Sequence, residues 1–166
     1  DEKLRNILQD NWNDLVVDRE YIALIEGNLD KDEGTIVSWL RESSTNLMYS
    51  ANKKGDGQKA ITKYKVLQKN DKYSLVDVHI ETGRKNQIRV HFKEKGHPIV
   101  GDEKYQATLY TIGRLGLHAR KLSLKNPLNN QIMDFVCNED PIFKKVFDKN
   151  FVEIKPKSIK KEKKKK

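Results

Sequence analysis

One cysteine in the whole chain, Cys137, excludes an internal disulfide, and a reducing cytoplasm is the expected setting. It ends the apolar run Ile132 to Cys137, so it reads as a small buried hydrophobe rather than a reactive thiol. No apolar stretch approaches the ~18 residues a spanning helix needs, so no membrane segment is expected. The N-terminus has no basic-then-apolar leader pattern. There is no internal repeat, and His79, His97 and His118 stand at no metal-ligand spacing from a cysteine or aspartate cluster, so no metal is expected. His118 reads as a hydrogen-bonded structural histidine.

What is present is charge, in 34% of 166 residues, against 36% hydrophobic ones: a polar but globular composition, long enough for one domain with a real core. The net charge of +9 is unevenly spread. Lys155 to Lys166 holds eight lysines and one glutamate, leaving only +2 on residues 1 to 154. Such a segment repels itself and has little to bury, so residues 153–166 are expected to be a disordered tail beyond a domain of residues 1–152. A tail of this kind either adds sequence-blind attraction to phosphates or only solubilises the chain.

Apolar residues Leu4, Ile7, Leu8, Trp12 and Leu15 recur at helical spacing and predict a helix over Lys3 to Val16. Glu20 to Glu26 reads as a strand closed by Gly27, and Asn28 to Gly34 as a polar turn that includes Asp30. Thr35 to Ala51 fits neither period. Ala60 to Gln68 and Tyr73 to Ile80 alternate well across a polar connection and predict a hairpin, as do Leu117 to Leu124 and Gln131 to Val136. Tyr105 to Gly113 reads as loop with a short helix, and Pro141 to Phe147 as a short terminal helix. Hairpins with few helices give an α+β fold on a mixed, mostly antiparallel sheet with flanking helices.

The most informative stretch runs from His79 to Gly101. A strand reaches the turn Thr82-Gly83 and passes into a helix carrying Ile88, Phe92 and Lys95 at helical spacing, a layout that aims polar side chains from rigid elements. Arg84, Gln87, Arg89 and His91 crowd the start of that helix, where the dipole adds positive potential. Spacing alone leaves two readings open: a site for a carboxylate or phosphate, or a surface helix with solvated charges.

The segment Thr82-Gly83-Arg84-Lys85-Asn86-Gln87-Ile88-Arg89-Val90-His91, followed by Gly96-His97-Pro98-Ile99-Val100-Gly101-Asp102 and Tyr105, resembles the third motif of the RluA-like pseudouridine synthases. Upstream, Tyr21-Ile22-Ala23-Leu24-Ile25-Glu26-Gly27 is similar to that family's tyrosine strand. Downstream, Leu117-His118-Ala119, Leu122 and Asn126-Pro127 are similar to its Leu-His-Ala segment. The resemblance covers about residues 1 to 147. It implies isomerisation of uridine to pseudouridine in ribosomal or transfer RNA, by a monomer that needs no cofactor. It also implies an arginine, Arg89, beside the catalytic carboxylate, a tyrosine, Tyr21, stacked on the target base, and Ile88 packed on the base's other side. Arg84, Gln87 and His91 are expected to support the turn or touch the RNA backbone. Asn86 stands where the family usually has histidine, and asparagine cannot become cationic near neutral pH.

The family's aspartate motif, His-Arg-Leu-Asp ahead of Thr-Ser-Gly, has no counterpart in the chain. Asp30 follows the tyrosine strand and lacks the flanking residues. The resemblance therefore implies the C-terminal part of a longer catalytic domain, inactive alone. The alternative is a non-catalytic RNA-binding module of the same descent.

Overall fold

Alternation of apolar and polar side chains is strongest in the middle of the chain, and the sheet extends from there to strands on both sides in sequence. The computed structural model describes residues 2–154; the lysine run Lys155 to Lys166 lies outside the described residues. Glu153 and Ile154, assigned to the tail by composition, still touch the domain. Tyr73 Oη donates to Glu153 Oε1 at 3.2 Å, and the Ile154 N–H donates to the Thr111 carbonyl at 2.8 Å.

In chain order the elements are α1 (Glu2–Asp10), α2 (Trp12–Leu15), β1 (Val16–Glu26), β2 (Glu33–Glu42), β3 (Met48–Ser50), β4 (Gln58–Lys69) and β5 (Tyr73–Ile80). There follow α3 (Gln87–Glu94), a 3-10 turn at Glu103–Tyr105, β6 (Leu117–Lys125), β7 (Ile132–Val136) and α4 (Ile142–Lys145). The strands form one seven-stranded sheet in the order β3-β2-β4-β5-β1-β6-β7, and every neighbouring pair is antiparallel. The fold is α+β, as the hairpin pattern predicts.

Three local expectations are corrected. The single helix over Lys3 to Val16 is two short ones that part at Asn11, whose N–H (3.1 Å) and side-chain amide (3.0 Å) both donate to the Ile7 carbonyl. Val16 already belongs to the sheet, opposite Leu124. The ambiguous stretch Thr35 to Ala51 lies mostly in strands β2 and β3, its apolar positions facing a sheet covered on one side by α3. Cys137 is exposed rather than buried. It follows the edge strand β7, where Ile132, Phe135 and Val136 are each more than half exposed because no described element covers them.

The central strand of the sheet, β5, is the best buried, and β1 pairs along it. Ala23 and Ile25 of β1 face Val76, Val78, Ile88, Phe92 and Ile99. On the reverse face, Ile22 and Leu24 meet Tyr73, Leu75, Phe143 and Val146. The α3 helix thus lies on the face that carries Tyr21, and α4 caps the other.

Candidate active site

The turn between β5 and α3 is set by one side chain. Gln87, 2% exposed, has its Oε1 accepting from the Thr82 hydroxyl (2.8 Å) and the Arg84 N–H (3.0 Å). Its Nε2 donates to the Ile61 carbonyl (2.9 Å) and the Thr62 hydroxyl (3.0 Å). The amide is fully satisfied and ties the turn to β4. One turn further along, His91 is fully buried between Ser38 Oγ and Thr62 Oγ1, each 2.9 Å from a ring nitrogen. Burial pushes its pKa down to about 4, so the ring is neutral. Gln87 and His91 therefore face inward and hold the helix on the sheet.

Asn86 enters α3 at φ 53°, in the left-handed region where asparagine is one of the few tolerated side chains. Its Oδ1 accepts from Arg89 Nη1 at 3.1 Å. The guanidinium of Arg89 is further held by Asp102 in a two-pronged pair, Nε to Oδ2 at 2.8 Å and Nη2 to Oδ1 at 2.6 Å, and lies 4.9 Å over the Tyr105 ring. The bonds to Asp102 raise the arginine's pKa and fix its charge. Asp102 and Tyr105 are thus the positioning partners of Arg89. Sequence spacing shows them only as motif letters, since a residue thirteen positions away gives no periodic signal.

Arg89, Tyr21 and Ile88 meet in a cavity of about 210 Å³, lined also by Ile80, Arg84, Asn86, Gln87 and Leu117. A register shift in the β1–β6 ladder between Glu20 and Tyr21 re-aims the tyrosine beside this cavity. Tyr21 and Ile88 pack on the same apolar cluster, so a flat ring and an aliphatic side chain line one slot with a guanidinium at its edge. No carboxylate lines this cavity among the described residues. Tyr21, Ile80 and Arg84 are shared with a second, wider cavity of about 450 Å³. Asp30 is exposed in its turn and lies with Lys31, Tyr64 and His97, outside the Tyr21 cavity.

On the reverse face, Asp18, Glu20 and His79 bring one ligand atom each within 4.8 Å of one another, a grouping that spacing does not reveal because β1 and β5 supply it. His79 Nδ1 is 2.9 Å from Asp18 Oδ1 and its Nε2 is 3.4 Å from Asp77 Oδ2. Partial burial pulls its pKa down, but the Asp18 hydrogen bond and the charges of Asp18, Asp77 and Glu20 outweigh it, for a net rise. The ring is a charge partner of the carboxylates. His118 Nε2 donates to the Cys137 carbonyl at 2.8 Å, and the ring lies edge-on to Phe143.

A family model described as RNA pseudouridylate synthase matches residues 1–94. The uncharacterized RNA pseudouridine synthase YjbO of Bacillus subtilis is 36% identical over 130 residues, covering 78% of this chain and 46% of that protein. A second from the same organism, YhcT, is 34% identical over 129 residues, covering 76% and 42%. The chain thus spans about half the length of the curated relatives it matches. A solved structure, human RNA pseudouridylate synthase domain containing 1, superposes with a TM-score of 0.65 at 26% identity, over 84% of this chain and 60% of that one. With a matching family model, close relatives and the same fold, this chain belongs to the RNA pseudouridylate synthase family.

Proposed function

We propose that this chain supplies the base pocket and the positioning arginine of an enzyme that isomerises uridine to pseudouridine in ribosomal or transfer RNA. The observation that carries the reading is the slot between Tyr21 and Ile88 with Arg89 at its rim. A pyrimidine flipped from its strand fits between a flat phenol and an aliphatic wall, which hold it by stacking and exclusion of water. The reaction breaks the N1–C1′ bond, turns the base within the slot, and joins C5 to C1′ with loss of the C5 proton. The acid that acts on the nucleotide would come from residues outside this sequence. Arg89, fixed by Asp102 and Asn86, would keep that acid ionised and oriented.

The cavity without a carboxylate also favours a second reading, an RNA-binding module without chemistry. Turnover separates the two. Pseudouridine is counted by nuclease digestion and mass spectrometry after incubating RNA with the 166-residue chain, and with the product of its gene read from codons upstream of Asp1. The chain alone is expected to be inactive and the longer product active. In the active product Arg89→Met should lower turnover by at least about a hundredfold, as removal of a transition-state interaction does, with a far smaller fall in RNA affinity. An inactive longer product whose upstream codons specify no aspartate motif would establish the binding module instead.

A further inference from the structure

The wider cavity beside the Tyr21 slot holds an unanswered positive charge. Arg120 and Lys121 on its wall are matched by carboxylates, Arg120 by Glu20 and Glu139 and Lys121 by Asp134. Arg84 donates its Nε to the Lys59 carbonyl. Arg19, two residues before Tyr21 on β1, forms no ion pair or hydrogen bond to any described residue, and its buried Nε has no acceptor. Desolvating a guanidinium N–H without a partner is costly, and such a group calls for an acceptor that a water or a ligand supplies. The placement is also specific. A Cβ at Gly83 would lie 2.0 Å from Arg19 Nη1, so the guanidinium occupies the space that glycine leaves beside the turn into α3. No carboxylate lines this cavity among the described residues, and Trp12 and Phe135 offer partly exposed rings across it.

We propose that Arg19, with Arg84 beside it, binds the RNA phosphodiester next to the nucleotide whose base enters the slot, making this cavity the subsite for the flanking nucleotide. The inference rests on the reading of the Tyr21 slot as an RNA base pocket. A guanidinium fork matches the paired oxygens of a phosphodiester, and cavity walls shared by Tyr21 and Arg84 put that phosphate one sugar away from the slot. Arg19 is a positioning residue: it would set where the strand enters, and aromatic rings across the cavity suit a neighbouring base.

The test is the binding of a short oligouridylate to the 166-residue chain across a salt series, with Arg19→Met and Gly83→Ala as variants. Arg19→Met removes the charge and keeps the length. Gly83→Ala keeps the charge and pushes the flexible end of Arg19 aside, so the fold tolerates it. Arg19→Met should weaken binding roughly tenfold, as removal of a charge-assisted hydrogen bond does. It should also reduce the log–log salt slope by about 0.7, the value for one single-strand phosphate. Gly83→Ala should weaken binding in the wild-type background and do nothing further in the Arg19→Met background. Unchanged affinity and slope in Arg19→Met would overturn the assignment, as would a lowered melting temperature with unchanged RNA binding, which would make Arg19 a structural residue only. A wild-type chain that does not bind the oligonucleotide would overturn the base-pocket reading as well, so the two failures are distinct.

Discussion

A single primary amide organises the site. Each of the four hydrogen-bonding positions of Gln87 is used, two toward the Thr82–Arg84 turn and two toward β4. Glutamate would lose both donors, and alanine would leave the Thr82 hydroxyl proton and the Arg84 N–H to find other acceptors, while the Ile61 carbonyl would keep its bond from the Glu81 N–H. Leaving buried groups unpaired costs about 1–3 kcal/mol each, so Gln87→Ala should lose roughly 3 kcal/mol after partial rearrangement. For a chain of this length that is a fall in melting temperature of roughly 10 °C, readable by calorimetry. Arg89 is organised differently: Asp102 and Asn86 hold it before any substrate arrives, so its orientation needs no reorganisation on binding. At position 86 the left-handed backbone accepts asparagine, and its side-chain carbonyl serves Arg89.

Elements with strict periodicity are legible in the sequence and those set by tertiary packing are not. Tyr73 to Ile80 alternates and is β5 to the residue, and the turn signal at Thr82-Gly83 does lead into α3. The β2–β3 region is opaque because Ser38 looks inward to His91, a polar pairing that breaks the apolar pattern. Cys137 defeats the composition rule because β7 has the residues of a core strand and the position of an edge. The pocket residues Tyr21, Ile88 and Arg89 stand out as motif letters, while Asp102 as the partner of Arg89, and Arg19 and Gly83 as neighbours, emerge only in three dimensions. Periodicity also overstates α1, whose apolar stripe contributes no buried residue. Two substitutions weigh these elements. Phe92→Ala, in a fully buried residue of α3 against β1 and β5, should cost about 3–5 kcal/mol. Leu8→Ser in α1 should stay within about 0.5 kcal/mol in urea titration. Equal losses would mean that α1 is docked as firmly as α3.

At the scale of the whole molecule, charge is segregated by position. Deleting Lys155 to Lys166 removes +7 of the +9 and should weaken RNA binding without sequence preference. The salt slope should fall by up to about 0.7 for each phosphate no longer neutralised, and an unchanged slope would make the lysine run a bystander. Two histidines on opposite faces of the sheet then shape stability against pH in opposite senses. His91 is buried neutral, with its pKa lowered from 6.5 to about 4. The unfolded chain therefore takes up this proton first as pH falls, and stability declines between pH 6.5 and 4. A shift of that size corresponds to at most roughly 3 kcal/mol across the window. His79, held among Asp18, Asp77 and Glu20, has its pKa raised above 6.5, so its contribution is complete below that value and lost as pH rises through the folded pKa. The two together place this pair's combined optimum near pH 6.5. Chemical denaturation from about pH 4 to about pH 9 tests each arm: His91→Gln should flatten the acid-side decline relative to wild type, and His79→Gln the loss on the alkaline side. An acid-side slope unaltered in His91→Gln would mean that the ring takes up its proton equally in the folded and unfolded chains, and that burial does not hold it neutral.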